Sequence, residues 1–206
     1  MAKNGLSHSS MITRTTWVYL LREKSKACQV FQNFHKMIQN QFQAHIRIIR
    51  IDNGKEYVNS IFGEYLLKNG ILHQSSCVDT PQQNGMSERK NRHLLEVARA
   101  LMFTMGVPKY LSGDAVLTAA YLINRLPSRT INFETPLSVL TKHYPHISTS
   151  NALPLRTFGC TAFVHIHAHH RNKLDPHALK TIFIGYSPTQ KGYRCCCPQT
   201  KKTCLL

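Results

Sequence analysis

Apolar positions along this chain alternate between two periods. Residues Thr15 to Leu21, TTWVYLL, are β-branched and aromatic and predict a strand. Beyond it Ala27, Phe31, Phe34, Ile38 and Phe42 recur at three- and four-residue steps, which predicts an amphipathic helix capped by Ser25. His45 to Ile51, HIRIIRI, reads as a short strand ending at Asp52, where an Asn53-Gly54 turn follows at once. From Val58 to Asn69 the stripe Ile61, Phe62, Tyr65 and Leu66 predicts a second helix, closed by Gly70 in a left-handed conformation. Ile71 to Ser75 is then another short strand.

The loop Cys77 to Gly85 carries Pro81, Asn84 and Gly85, after which Ser87 caps a long helix reaching about Met105. Its expected buried stripe is Leu94, Val97, Ala98, Leu101 and Met105. Pro108 opens a further helix through AVLTAAYLINR, which stops before Pro127, and Thr135-Pro136 opens a short one. After Tyr144 the texture changes. His146 to Leu155 is a linker bearing Ser, Thr and Pro, and CTAFVHIH, KTIFIGYS and KGYRCC read as strands between turn residues. The pattern predicts an α/β domain over residues 1–145, a linker over 146–155 and a small β module over 156–206 that is cut short at its C-terminus.

Composition narrows the class. With 206 residues, 42% of them hydrophobic, the chain can build a core. No apolar run approaches the roughly 18 to 20 residues of a membrane span, and Met1 to Met11 lacks the apolar centre of a secretory signal, so an intracellular, soluble protein is expected. Seven cysteines, odd in number and without a CxxC, argue against a disulfide framework. The net charge of +16 is unevenly placed: residues 1–50 and 151–206 each hold eight bases and one acid, whereas 51–100 hold six of each. Such flanks suit a polyanion, while the balanced middle keeps carboxylates where a cation could sit.

Two of those carboxylates stand out by position. Asp52 sits at a strand end and Glu88 opens a helix, with thirty-five residues between them. Taken singly, an Asp-Asn-Gly is a turn and a helix-initial Glu is a partner for the helix dipole. Asn91, Arg92 and Leu95 share the helix face of Glu88.

The surrounding residues carry a resemblance. TRTTWVYLL, RIDNGKEYVN, GILHQSS, TPQQNGMSERKNRHLLEVARALM and AVLTAAYLINRLPSR resemble the integrase catalytic core of copia-type LTR retrotransposon Pol polyproteins, a ribonuclease-H-like α/β fold. The tail, LPLRTFGCTAFVHIH and RNKLDPHALKTIFIGYSPTQKGYRC, is similar to the SH3-like module that follows that core. The resemblance implies DNA integration: water trims the 3′ ends of the element, and the new hydroxyls attack target phosphodiesters with the help of two Mg²⁺ or Mn²⁺ ions. It assigns one ion to Asp52 and the other to Glu88, DNA contacts to Lys90, Asn91 and Arg92, and the loop over the active site to Gln83 and Asn84. It also implies DNA partners (element ends and target), association with itself or with intact integrase subunits, and a nuclear site of action.

One position departs from the pattern. The family's first Asp, which bridges both ions, falls four residues before Arg14, where this chain has Ser10. A hydroxyl supplies neither the charge nor the two oxygens that offset repulsion between dications. No Asp or Glu precedes Glu23, and Lys3 to Ser10 lacks strand patterning, so a degraded first strand and lost strand transfer are expected. The alternative is a non-catalytic DNA-binding or assembly module. His165, His167 and His169 alternate as on one strand face, but without a CxxC they do not predict zinc. Cys195 to Cys197 would point to opposite faces and cannot readily share one ion.

Overall fold

The computed structural model describes residues 14–51, 60–75, 85–146, 153–187 and 190–206. Among them are helices α1 Ala27–Phe42, α2 Ser60–Lys68, α3 Gly85–Thr104, α4 Ser112–Ile123 and α5 Pro136–His143. The strands are β1 Ile48–Ile51, β2 Leu72–Ser75, β3 Thr161–His165, β4 Ala178–Tyr186, β5 Tyr193–Cys196 and β6 Thr203–Leu205. The chain divides into two compact units, Met1–Arg92 with Glu134–Ser148, and His93–Phe133 with Thr149–Leu206.

In the first unit β1 and β2 pair in parallel, Ile48 opposite Leu72 and Ile51 opposite Ser75. Parallel strands need a crossover, and α2 lies in it. The helix ends as Gly70 predicts: at φ +64 the Gly70 N–H donates to Leu67 O and the Ile71 N–H to Leu66 O, the two bonds of a Schellman cap. Phe62 and Leu66 of α2 bury against Ile51 and Ile71. Helix α1 presents Phe34, Ile38 and Phe42 to Leu140 of α5, with Trp17, Tyr19 and Tyr144 around them. Burying side chains of this size contributes about 1.5–3 kcal/mol each. Thr135 caps α5 in a reciprocal pair with Ser138, with Pro136 in the first turn.

Three local expectations change. Residues 15–21 form no strand, and among them Thr16 alone makes a ladder bridge. Lys3 to Ser10, on the N-terminal side, lie outside the described residues. Ser25 falls within a 3-10 turn, Lys24–Lys26, that precedes α1, so Lys26 takes the cap position and the Ser25 hydroxyl donates to Glu23 instead. Helix α3 starts at Gly85, which puts Ser87 inside its first turn rather than at its cap.

In the second unit β3, β4, β5 and β6 form an antiparallel sheet in that order. The register shifts between Phe183 and Gly185, and Gly185 takes φ +141 there. Helix α4 packs on β4 at this bulge, where Thr118 Oγ1 donates to Ile184 O at 3.2 Å. Ala115 and Ala119 of the same helix are fully buried. Strand β3 ends at His165; His167 follows it and His169 lies in a 3-10 turn, Ala168–His170, so the three histidines do not share one strand face. Cys195, Cys196 and Cys197 are all buried thiols.

Candidate functional site

The segment that carries the expected site is framed by β1 and α3. Buried Ile51 is the last residue of β1, so its neighbour Asp52 continues from the C-terminal end of a parallel strand. Asp52, Ser10, Gln83 and Asn84 lie outside the described residues. Glu88, Lys90, Asn91 and Arg92 are described, and the first turns of α3 bring them together.

Glu88 is exposed in the first turn of α3, where unsatisfied backbone N–H groups favour negative charge. Its neighbours are basic. Arg89 is exposed and its Nε donates to Gly85 O at 2.9 Å, and Arg92 is exposed as well. Lys90 is half-buried, and its Nζ donates to the carbonyl of Arg14 at 3.2 Å. Burial pushes the Lys90 ammonium below its usual pKa, and the positive charge of Arg14 adds to that. Asn91 buries its Oδ1, which accepts no hydrogen bond among the described residues. Chemically this turn is one carboxylate set among three cations, an arrangement that fits phosphate oxygens. Among the described residues no group of three or more His, Cys, Asp or Glu could hold a metal ion.

The second unit holds a polar and aromatic array that sequence reasoning did not single out. Asp114 of α4 and Arg194 of β5 form an ion pair at 2.9 Å, with side chains 19% and 27% exposed. Burial raises the Asp114 carboxyl pKa, against the lowering effect of Arg194. Tyr121 of α4 stacks on Tyr186 of β4 with ring centroids 3.7 Å apart, and the Arg125 guanidinium lies 3.3 Å from the Tyr121 ring centroid. The signal available in the sequence was slight: a Thr in the apolar run AVLTAAYLI and a Gly in the strand KTIFIGYS.

Comparison with known proteins agrees with this architecture. The family Retroviral polymerase SH3-like domain matches residues 160–205, which span β3 to β6. The chain is 41% identical over 190 residues to the Retrovirus-related Pol polyprotein from transposon TNT 1-94 of Nicotiana tabacum, covering 92% of this chain and 14% of that protein. It is 37% identical over 190 residues to the Retrovirus-related Pol polyprotein from transposon RE1 of Arabidopsis thaliana, covering 92% of this chain and 12% of the relative. In fold it is similar to a chain of the cryo-EM structure of the simian T-cell lymphotropic virus intasome in complex with PP2A regulatory subunit B56 gamma. That likeness has a TM-score of 0.52 at 16% identity, covering 91% of this chain and 72% of the other. Along most of its length the chain is therefore similar to retrovirus-related Pol polyproteins of retrotransposons, of which it spans 12–14%, and it has a ribonuclease-H-like fold followed by an SH3-like module.

Proposed function

We propose that this chain is the DNA-handling part of a retrotransposon integrase whose strand-transfer chemistry is lost. One observation carries the reading: the first turns of α3 hold Glu88 among Arg89, Lys90 and Arg92, with Asn91 Oδ1 unpaired beside them among the described residues. Cations and a polar amide on one helix turn suit a DNA backbone, and Arg92, being exposed, makes the freest phosphate contact. By the same reading Gln83 and Asn84, which lie outside the described residues, belong to the loop over the active site.

The residues present do not fit a pair of divalent ions. Asp52 and Glu88 supply two carboxylates, but Ser10 takes the place of the bridging one, and the described surroundings of Glu88 are cationic. Mg²⁺ and Mn²⁺ take hard, negatively charged oxygen ligands, and two dications close together need a shared carboxylate to offset their repulsion. The integrase core spans residues 1–145 and the SH3-like module 156–206, joined by residues 146–155. The partners are element ends and target DNA in the nucleus, together with a second copy of this chain or intact integrase subunits.

Fluorescence anisotropy with a labelled DNA duplex tests the reading. Binding is expected at 50 mM salt and a loss of at least tenfold at 200 mM, with Arg92→Ala lowering the slope of log affinity against log salt by about 0.9. Absence of duplex binding at low salt would sink it.

A further inference from the structure

Strand β3 exposes an aromatic ring where a sheet ordinarily shows polar side chains. Along it Thr161, Phe163 and His165 are exposed while Ala162 and Val164 are half-buried, and Phe163 in the centre is 64% exposed. In the antiparallel register Phe163 stands directly opposite Lys180 of β4, so both side chains lie on the same face. Lys180 is itself exposed. At the end of the strand the His165 and His167 rings meet edge to face, 5.4 Å between centroids. Residues 151–206 hold eight bases and one acid, and the carboxylate of that acid, Asp175, accepts from the Asn172 N–H at 2.7 Å.

We propose that this face binds single-stranded nucleic acid, with Phe163 stacking on an unpaired base and Lys180 meeting the adjoining phosphate. His165, and His167 beyond the end of the strand, extend the polar track. A flat ring exposed on a sheet face accepts the π-face of any base, whereas paired bases are stacked on one another and cannot offer theirs. The charge excess favours a polyanion over an apolar partner. This surface lies in the second unit and does not depend on the duplex-binding reading of α3.

The test measures binding of the full 206-residue chain to three labelled probes of equal length: oligouridylate, oligothymidylate and a DNA duplex. Phe163→Ala should weaken both single strands about tenfold and leave the duplex unchanged, and Phe163→Trp should preserve single-strand binding. Lys180→Gln should lower the single-strand salt slope by about 0.7. Tighter uridylate than thymidylate binding assigns the surface to RNA, and equal binding assigns it to single strands of either kind; both support it. Three results would overturn the proposal: single-strand affinity unchanged in a folded Phe163→Ala chain, an equal loss for the duplex, or a variant that only abolishes self-association in sedimentation.

Discussion

The Lys90 ammonium donates to the backbone carbonyl of Arg14 across 76 positions of sequence, and Arg14 sits in the left-handed region at φ +56. A non-glycine residue there is held against its preference by its surroundings. Lys90 therefore ties the segment entering from the N-terminal side to the helix that carries Glu88.

Replacing Lys90 with Ala should lower the free energy of unfolding by about 1 kcal/mol, less than a fully buried charge-assisted bond contributes because the group is partly solvated. Urea denaturation measures it. Because one donor of Lys90 is spent on Arg14, Arg92→Ala should weaken duplex binding more than Lys90→Gln does.

Gly185 should not tolerate a side chain. A Cβ there would stand 2.7 Å from Thr118 Oγ1, at a φ of +141 that L side chains rarely adopt. Gly185→Ala should destabilise the second unit by about 2 kcal/mol or more. Adding Thr118→Ala should recover the steric part and leave the backbone part, which paired denaturation curves separate.

The Asp114–Arg194 pair should behave as a costly but matched half-buried pair. Burial outweighs the attraction of Arg194 in its effect on the Asp114 carboxyl, so this half-buried pair carries a desolvation cost. Asp114→Leu or Arg194→Met alone strands its partner's charge and should cost roughly 2–3 kcal/mol. The double variant should cost less than either, a coupling that a double-mutant cycle reads directly.

Much of the first unit was legible because its signals are local. The three- and four-residue spacing of Phe34, Ile38 and Phe42 and the glycine at position 70 specify a helix and its end without reference to anything distant. Residues 15–21 have strand composition, yet a ladder depends on a partner, and composition does not report one. The packing of α4 on β4 was illegible for a related reason. Its apolar positions do not say which sheet they cover, and only the pairing of Thr118 with the bulge at Gly185 does. Glu88 and the basic residues after it fell on the expected helix turn, while the histidines did not stay on one face because β3 ends at His165.

Acid should loosen the first unit through His35. This residue of α1 is 2% exposed, and its Nδ1 meets the Tyr65 hydroxyl of α2 at 2.9 Å, with Phe31 stacked on its ring. Burial lowers its pKa below the ordinary 6.5, with His45 adding to the effect. The unfolded chain then takes up this proton more readily than the folded one. The contribution is intact above the unfolded value and is lost as pH falls below it toward the folded value. Urea unfolding at pH 7.5 and pH 5.5 should show a smaller drop for His35→Gln than for the parent chain.

The proposed loss of strand transfer requires that Ser10 take the place of a bridging carboxylate, and a strand-transfer assay tests that proposal directly. The full chain is incubated with processed element ends and target DNA in Mg²⁺ or Mn²⁺, and joined products are resolved on a denaturing gel. Duplex binding without joined product is the expected result. Joined product formed by this chain alone, in either metal, would contradict the account and show that another group fills the place of the missing Asp.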